Sequence, residues 1–360
     1  MLNICRKNLL STILLILFVS VFGQDSVTTK AEKKKDFFVF PAFFYSPETS
    51  FGFGAVDILY FRTSDNPSAR PSSMQNVLIF TLRNQILFTN PYSVFLKDDE
   101  YWLNGELGFY HYPYDYYGIG TDLQAKETYT ASFLRVELNA LKKWSDHLYI
   151  GPTLFHDNYF RIKADPDGDL ITNNVLGIQG GQLMGFGGSL IWDKRNNLFS
   201  PYKGHYLSSR LIKYQDQLIG DYEFLDFNLD ARKYFHINDI WETAFQAYHQ
   251  SVLGDAPFYN YAQLGGAERM RGYFRGAYRD RHYSLLQAEV RRYLTPWLVA
   301  SVFGGVGSVG DEFLGYDKIL GSYGIGLRSE IDPKERVRIR LDYARGYQTS
   351  GFYISINEAF

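Results

Sequence analysis

Short runs in which apolar and polar residues alternate follow one another along most of the chain. Because successive side chains of a β-strand point to opposite faces, each run predicts a strand with one apolar and one polar face. The alternation is clearest near the end of the chain, where Val337, Ile339, Leu341 and Tyr343 interleave with Arg338, Arg340, Asp342 and Ala344. About 16 runs are predicted as strands, at 37–46, 51–62, 73–83, 86–97, 100–112, 128–144, 147–163, 183–193, 204–216, 222–235, 240–253, 282–294, 297–310, 320–332, 335–346 and 351–360. An even number of strands is what a closed bacterial barrel requires.

The two faces of these strands suit different surroundings. In the last run one face carries Phe352, Ile354, Ile356 and Phe360, and the other carries Tyr353, Ser355 and Asn357. The first face suits lipid and the second suits a polar interior, as in an outer-membrane barrel. A soluble β-sandwich shows similar alternation, but the number of strands and the excess of Phe and Tyr favour the barrel. The pattern therefore predicts an all-β, transmembrane antiparallel β-barrel of about 16 strands.

The lengths of the connections test this prediction independently. If the first strand leaves the periplasm, connections after even-numbered strands must be short periplasmic turns. Four such connections are short, at 97–100, 236–239, 295–297 and 332–335. Long connections follow odd-numbered strands, at 112–128, 163–182 and 254–281. The turn at 63–72 and the tight connection at 83–86 do not fit, so the register of the first strands stays open.

The stretch 265–280, GGAERMRGYFRGAYRD, interrupts the strand pattern. It is rich in glycine and arginine, and it has neither the alternation of a strand nor the apolar spacing of a helix. It is predicted to be a long, ordered, polar loop between two strands. A loop of this length in a compact β domain usually carries function.

The amino terminus predicts export. Arg6 and Lys7 precede an apolar run over 9–22 that ends at Gly23, which is typical of a secretory signal peptide over 1–23; an uncleaved anchor helix is the alternative. A short polar leader over 24–36 follows, and the barrel is predicted over 37–360. The single cysteine, Cys5, lies in the signal peptide, so the exported protein is expected to have no disulfide. Its predicted location is the outer membrane of a Gram-negative bacterium.

No pattern in the chain indicates catalysis or a cofactor. The formal charge of −2 is not that of a nucleic-acid-binding protein, and no His-Glu-x-x-His or Gly-x-Ser-x-Gly sequence is present. The glycines over 305–310 match a dinucleotide fingerprint, but no helix follows them. The acidic stretch 165–169 is interpreted as a surface turn, with a calcium loop as the alternative. We expect a non-enzymatic protein without cofactor or metal.

Three groups of residues form motifs in a fixed order along the second half of the chain. The long loop carries paired glycines before Arg-Gly-aromatic, at Gly265, Gly266, Met270, Arg271, Gly272 and Tyr273. Upstream, an Asp-x-Arg turn ends in Pro-x-x-Gly, at Asp193, Arg195, Pro201 and Gly204. Downstream lie Glu289-Val-Arg291, Gly324-Ile-Gly326-Leu-Arg328, Leu341-Asp342-Tyr343 and the terminal Phe360.

With these motifs the chain resembles the barrel of the BamA/TamA outer-membrane assembly and translocation superfamily, also called the bacterial surface antigen family. The resemblance is specific over about 190–360 and rests only on strand pattern before that. It implies a periplasmic turn at 193–204 and a long loop that folds back into the lumen. Because the leader over 24–36 is too short for a folded domain, we expect a member without periplasmic POTRA domains.

The resemblance also implies that Arg271 meets acidic residues on the inner wall. Where the family often has Phe-x-Asp-x-Gly, this chain has Gly305 in place of the aspartate, so the partner must come from elsewhere. By alternation Glu289, Glu330 and Asp342 point inward on neighbouring strands, and each is a candidate partner. The alternative is a mobile extracellular loop with a solvated arginine.

The function implied by the resemblance is insertion, assembly or translocation of outer-membrane polypeptides, with a separate periplasmic partner. The expected partners are outer-membrane lipids and client outer-membrane proteins, and no nucleic acid. Two alternatives remain open: a passive pore or structural barrel, and a membrane module for a separately encoded partner, since some relatives carry a patatin-like lipase domain.

The barrel must close where the first strand meets the last, and this seam is predicted between 37–46 and 351–360. Pro41 lies in the middle of the first strand and Phe360 ends the last. Because proline has no N–H to donate, Pro41 is expected to weaken the seam if it faces the last strand. The alternative is that Pro41 faces the second strand or a bulge.

Overall fold

A computed structural model of the protein describes residues 36–66, 69–217, 219–315, 318–333 and 335–360. The predicted signal peptide over 1–23 and, apart from Asp36, the predicted leader over 24–36 lie outside the described residues. Within the described ranges no helix is both long and apolar enough to cross a membrane.

Sixteen strands form one closed antiparallel barrel. In chain order they are β1 (Asp36–Ser46), β2 (Ser50–Phe61), β3 (Ser72–Thr81), β4 (Ile86–Leu96), β5 (Tyr101–Tyr116), β6 (Glu127–Ser145), β7 (Leu148–Lys163), β8 (Gly181–Asp193), β9 (Gly204–Tyr214), β10 (Phe224–His236), β11 (Trp241–Gly254), β14 (His282–Thr295), β15 (Leu298–Gly310), β16 (Leu320–Asp332), β17 (Val337–Gly346) and β18 (Thr349–Ile356). Between β11 and β14 the chain forms a separate two-stranded ribbon of β12 (Ala262–Leu264) and β13 (Tyr278–Asp280). The connection between β7 and β8 contains a one-turn helix, α1 (Asp169–Thr172), and a 3-10 turn spans Phe258–Asn260.

Each barrel strand pairs with its neighbours in sequence, except that β11 pairs directly with β14 across the long loop. The predicted fold class is confirmed, and the predicted strand boundaries lie close to the observed ones. Two details of the prediction are wrong. The stretch 265–280 ends in a strand, β13, and the last barrel strand stops at Ile356 instead of running to the chain terminus.

The wall follows the alternation seen in the sequence. On β17 the side chains of Arg338, Arg340 and Asp342 are buried inside, whereas Ile339 and Leu341 are exposed on the outside. All five tryptophans of the chain lie at the end of the barrel where β1 begins, which we call the short-turn end, at positions Trp102, Trp144, Trp192, Trp241 and Trp297. Tryptophan is enriched where a barrel wall meets a membrane interface.

The opposite end, the long-loop end, is covered by its own connections. Phe258 from the loop after β11 packs edge-on against Tyr116 and Tyr129, with ring centroids 5.6 and 5.0 Å apart. Its backbone N–H donates to the carbonyl of Leu176 in the connection after β7, 2.9 Å away. Leu170 of α1 is fully buried in the same cluster. An aromatic cover therefore closes this mouth.

The connection after β2 is unusually long for the short-turn end, and within its described residues, 62–66 and 69–71, Arg70 packs against the wall. The guanidinium of Arg70 lies 4.0 Å from the ring centre of Phe95 and pairs with Asp99 at 3.4 Å. Arg70 thus attaches this turn to the wall, and the strands on either side of it, β2 and β3, pair with each other.

Candidate functional site in the barrel lumen

The long loop after β11 folds back into the lumen. Its base is the β12–β13 ribbon, and its tip reaches the inner wall, where Met270 and Arg271 are almost completely buried. Met270 has a φ of +47°, a value that is uncommon for a residue with a side chain. The backbone reverses here and turns the following arginine toward the wall.

Arg271 bridges two carboxylates on strands that are not neighbours. Its guanidinium lies 2.7 Å from Glu289 of β14 and 2.5 Å from Asp342 of β17. The same group stacks on Phe303 of β15, 3.4 Å from the ring centre. A buried guanidinium needs such partners because it stays charged and offers five donors. The contacts join the loop tip to the wall over β14–β17.

The two carboxylates belong to a larger ion cluster. Glu289 also accepts from Arg291 at 2.9 Å and from Arg328 at 2.8 Å. Asp342 also accepts from Arg328 at 2.6 Å and lies 3.5 Å from Arg340. All of these side chains are at most 2% exposed. Because desolvation of so many charges is costly, the cluster holds only while each charge keeps its partners.

Polar contacts of the loop backbone fix the position of the tip. The N–H of Gly272 donates to the hydroxyl of Tyr353 on β18 at 2.8 Å, and Ser322 of β16 donates to the carbonyl of Arg271. Gly272 has a φ of +102°, and a Cβ there would lie 2.9 Å from the backbone of Arg345. Only glycine fits this approach to β17 without displacing it. The motif glycine is thus explained by packing.

Tyr273 is held by two hydrogen bonds at once. Its hydroxyl donates to the carbonyl of Gly321 at 2.8 Å and accepts from the N–H of Tyr347 at 2.7 Å. The paired glycines of the motif, Gly265 and Gly266, have φ values of +104° and +110° and lie between the ribbon and the tip. The loop is therefore an ordered insert of the lumen.

Gly326 makes room for the ion cluster on the wall itself. A Cβ at this position would lie 2.0 Å from an Asp342 oxygen and 2.1 Å from an Arg328 nitrogen. Any side chain at position 326 would push Asp342 and Arg328 apart. The ion pair between these two residues therefore requires glycine at the second glycine position of the Gly-x-Gly-x-Arg sequence.

Of the three carboxylates expected as candidates for Arg271, the structure places Glu289 and Asp342 against it. Glu330 is a correction. It points inward as expected, but it lies opposite Arg338 in the β16–β17 register and 3.9 Å from that guanidinium. Glu330 is the next inward-facing residue of β16 after Arg328 and lies nearer the short-turn end. Arg328 is the residue of β16 that contacts both partners of Arg271. The loop tip does not reach the level of Glu330.

Gly305, which stands where the resemblance predicts an aspartate, packs against the neighbouring strand β14. A Cβ on Gly305 would lie 2.8 Å from the side chain of Gln287. The Gln287 amide oxygen accepts from the N–H of Met270 at 3.3 Å, and its nitrogen donates to the carbonyl of Glu268 at 2.9 Å. A glutamine on β14 thus holds the loop backbone beside the substituted position.

The motif at 193–204 forms the turn between β8 and β9 at the short-turn end. Asp193 and Arg195 make a two-point ion pair, at 2.9 and 2.7 Å. Pro201 accepts through its carbonyl from Arg291 at 3.0 Å, so the turn reaches the ion cluster. Gly204 begins β9.

The chain terminus enters the lumen, which corrects the expectation for Phe360. After β18 ends, Asn357 adopts a φ of +68° and reverses the chain direction. Phe360 is only 3% exposed and packs inside against Tyr234 and Ala244, whereas the sequence placed it on the lipid face. Its carbonyl accepts from Arg291 at 3.2 Å. We call residues 358–360 the C-terminal tail.

Glu358 binds this tail to the ion cluster. Its carboxylate lies 2.9 Å from Arg338, 3.1 Å from Arg328 and 3.4 Å from Arg291. Burial by itself would raise the pKa of Glu358, but Arg291 and Arg328 outweigh burial and hold that pKa at about 2. The tail is therefore anchored by a charged carboxylate at neutral pH.

The seam between β1 and β18 is short. The described register contains Tyr45 opposite Ile354, whereas β1 pairs with β2 along its whole length from Asp36 to Ser46. Pro41 lies opposite Ala55 of β2. Of the two alternatives for Pro41, the structure agrees with the one that places it against the second strand. In the β1–β18 register Pro41 would lie opposite position 358, which is beyond the end of β18 at Ile356, so it interrupts no described ladder with the last strand. The seam is open there because β18 ends.

Five residues of the cluster were not singled out as site residues from the sequence: Arg291, Arg328, Arg338, Arg340 and Glu358. The first two lie in the motifs, where alternation places them inward. Glu358 falls on the same face as Ile356 if the strand is continued. A charge on a lipid-facing position is costly in a barrel wall, and that conflict was the available signal that the strand ends earlier.

The described residues contain no group of three or more His, Cys, Asp and Glu side chains that could hold a metal ion. The lumenal site is a closed set of ion pairs, hydrogen bonds and stacked rings. Chemically it can hold the loop, the turn at 193–204 and the C-terminal tail together, and nothing in it resembles the machinery of nucleophilic catalysis.

Comparison with known proteins identifies the same architecture. A sequence model of the Omp85 superfamily domain matches residues 80–360. The structure of BamA from Haemophilus ducreyi lacking POTRA domains 1–3 superposes with a TM-score of 0.63 at 13% identity, covering 91% of this chain and 71% of that one. CdiB from Acinetobacter baumannii and from Escherichia coli give TM-scores of 0.54 and 0.55 at 13% and 11% identity. Each alignment covers 91% of this chain and just under two thirds of CdiB, at 65% and 64%. No curated protein matches the chain significantly.

Proposed function

The chain belongs to the Omp85 superfamily of outer-membrane barrels, and on this basis we propose that it inserts client β-barrel polypeptides into the outer membrane through the seam between β1 and β18. Its fold indicates an outer-membrane location, with the short-turn end toward the periplasm. The proposed activity is non-enzymatic, since strand pairing alone drives it.

The observation that carries the proposal is the open edge of β1. Beyond the Tyr45 pair, β1 continues as a strand over residues 36–44 that pairs with β2, and the described register gives these residues no further pair with β18, which ends at Ile356. Phe37, Val39 and Phe40 are 62%, 60% and 50% exposed. An unpaired strand edge is a template for another strand, and each ladder bond formed there contributes about 0.5–1.5 kcal/mol.

A client strand would add to this edge at the periplasmic half of the wall. The C-terminal tail supports this geometry, because the chain turns into the lumen at Asn357 and leaves the space beside β1 unoccupied by β18. We propose that a separate periplasmic protein delivers the client, since Omp85 barrels work with partner and client proteins.

The seam is tested by a reversible crosslink. We expect Tyr45→Cys/Ile354→Cys, placed at the described seam pair, to slow client folding to the rate of protein-free liposomes when oxidised and to recover when reduced. The measurement is the folding rate of a urea-unfolded eight-stranded barrel added to proteoliposomes of the variant. The predicted signal peptide contains the one native cysteine, Cys5, so the engineered pair is expected to be the only one in the exported chain.

The matched control is Leu103→Cys/Ala140→Cys, which joins neighbours within the fully paired β5–β6 ladder. Its oxidation is expected to leave the rate unchanged. If the oxidised seam variant folds the client as fast as the reduced protein, lateral insertion through this seam is not the function, and the proposal fails.

A passive pore is the alternative, and the arrangement of the lumen argues against it. The ion cluster occupies the lumen beside β14–β17, with Arg271 and Arg328 at most 1% exposed, and the aromatic cover around Phe258 lies across the long-loop end. We therefore expect no large, stable open current in planar bilayers. Deletion of residues 265–276 is expected to produce one, because that deletion removes the loop tip. A large stable current through the intact protein would favour the pore.

A third possibility, a membrane module for a separately encoded partner, has no specific observation in its favour.

A further inference from the structure

The outer wall carries a groove across β10, β11, β14 and β15, away from the seam. It encloses about 580 Å³. Its floor is formed by small residues that lie side by side, Ala231 opposite Ala247 and Ala288 opposite Gly304. Larger side chains stand around the floor, with Phe245 and Val306 each 48% exposed to the outside and Leu286 61% exposed.

The groove continues toward the long-loop end. A second hollow of about 470 Å³ shares Ala247, Leu286 and Val306 with the first and is bordered further up by Phe313 and Leu314. Both hollows lie on the face that a barrel turns toward lipid. Together they form a continuous apolar channel along the wall.

The groove begins at a cluster of basic side chains at the short-turn end. Lys233 lines its lower edge and lies directly opposite His205 in the β9–β10 register. The backbone of Lys194 lies beside that of His205, since the Lys194 N–H donates to the carbonyl of His205 at 2.9 Å. Two lysines and an imidazole ring are therefore brought to the same part of the outer wall.

The basic side chains lack acidic partners within the described part of the chain. Neither Lys194 nor Lys233 forms an ion pair with a described carboxylate. The nearby Asp193 is engaged by Arg195 through two hydrogen bonds. The Nε2 atom of His205 is buried without a hydrogen-bond partner. A buried ring nitrogen and two lysines that contact aromatic rings but no carboxylate therefore lie close to one position on the wall.

We infer that this position binds one anionic phospholipid of the periplasmic leaflet, with its phosphate at Lys194, His205 and Lys233 and an acyl chain in the groove. The position fits, because the ring of Trp192 packs edge-on against His205, with ring centroids 4.4 Å apart, and tryptophan is typical of the membrane interface. Basic pockets of this kind on membrane proteins recognise phosphate head groups, and long lysine side chains reach the interface from an apolar wall.

The same end of the barrel offers a contrast. Lys142 and Lys143 also lie near the interface, but they pair with Glu100 and Asp146, each at 3.6 Å. Their charges are compensated by the protein itself. These two lysines therefore supply a control that removes the same number of charges at the same end of the barrel.

The experiment is a lipid titration of the full folded barrel in detergent, read by native mass spectrometry. Phosphatidylglycerol is compared with phosphatidylcholine of the same chains. We expect preferential retention of phosphatidylglycerol, weakened about 30-fold in Lys194→Gln/Lys233→Gln, since each lysine near an anionic surface contributes about 1 kcal/mol. Lys142→Gln/Lys143→Gln should retain the lipid as the natural protein does.

A second pair of variants tests the acyl chain. Ala288→Leu fills the groove floor, whereas Ala55→Leu adds the same volume on the exposed side of β2. We expect only Ala288→Leu to weaken retention, by about tenfold, without a change in the heat-induced shift of electrophoretic mobility that reports folding. Displacement of the lipid by inorganic phosphate alone would show that no chain is bound and would overturn the inference. So would equal retention of the two lipids, or equal loss in both lysine pairs.

Discussion

Arg271→Ala is expected to lower the free energy of unfolding by about 3–5 kcal/mol, the cost of removing one partner from a buried set of ions. The truncation leaves Glu289 and Asp342 with fewer donors and removes the stacking contact with Phe303. The measurement is urea unfolding of the refolded barrel, followed by tryptophan fluorescence. The free energy of unfolding of Arg271→Lys should lie between those of the natural protein and Arg271→Ala, because an ammonium is a compact point charge that does not span both carboxylates.

The control is an arginine of the same loop with a solvent-exposed partner. Arg281 pairs with Asp311, and the two side chains are 38% and 76% exposed. Exposed ion pairs contribute at most about 1 kcal/mol, so Arg281→Ala should shift the transition little. Equal transitions for the two variants would mean that the buried ion cluster does not hold the loop in the lumen.

Glu358→Gln is expected to release the C-terminal tail and to cost about 2–3 kcal/mol. The carboxylate serves three guanidinium groups, those of Arg291, Arg328 and Arg338, and an uncharged amide replaces charge-assisted hydrogen bonds with neutral ones. The tail is expected to leave the lumen, because Phe360 alone buries only one ring. Urea unfolding gives the first readout, and carboxypeptidase digestion of the folded barrel gives the second.

Glu335→Gln is the matched control, since Glu335 is an exposed carboxylate at the same end of the barrel. It should leave both readouts unchanged. If the Glu358 variant resists carboxypeptidase as well as this control does, the tail is held by packing around Phe360, and the proposed role of the ion cluster in anchoring it is wrong.

Arg271→Ala and Glu358→Gln change opposite ends of the ion cluster, the loop tip and the C-terminal tail. Arg271 and Arg328 both bind Glu289, and Arg328 also binds Glu358, so the effects of the two substitutions are expected to be non-additive in the double variant. Such coupling would link the loop tip to the tail beside the seam. Additive effects would indicate that loop and tail are held separately.

Much of this architecture follows from the sequence alone. Alternation with a period of two places Arg338, Arg340 and Asp342 on one face of β17, whatever the rest of the chain does. Connection lengths set the direction of the strands, and the motif around Arg271 identified the loop that enters the lumen. These features are local, so a single segment contains the information that predicts them.

The tertiary structure alone decided which charges meet. Glu289, Glu330 and Asp342 all point inward from the sequence pattern, but the shear of the barrel and the reach of the loop set their levels, and only two of them contact Arg271. The end of β18 was decided in the same way. Continued pairing would put the Glu358 carboxylate in lipid, whereas a turn at Asn357 brings it to three buried guanidinium groups from three other strands, β14, β16 and β17. Such partners are distant in sequence, so no local pattern contains them, and the open edge of β1 follows from that choice.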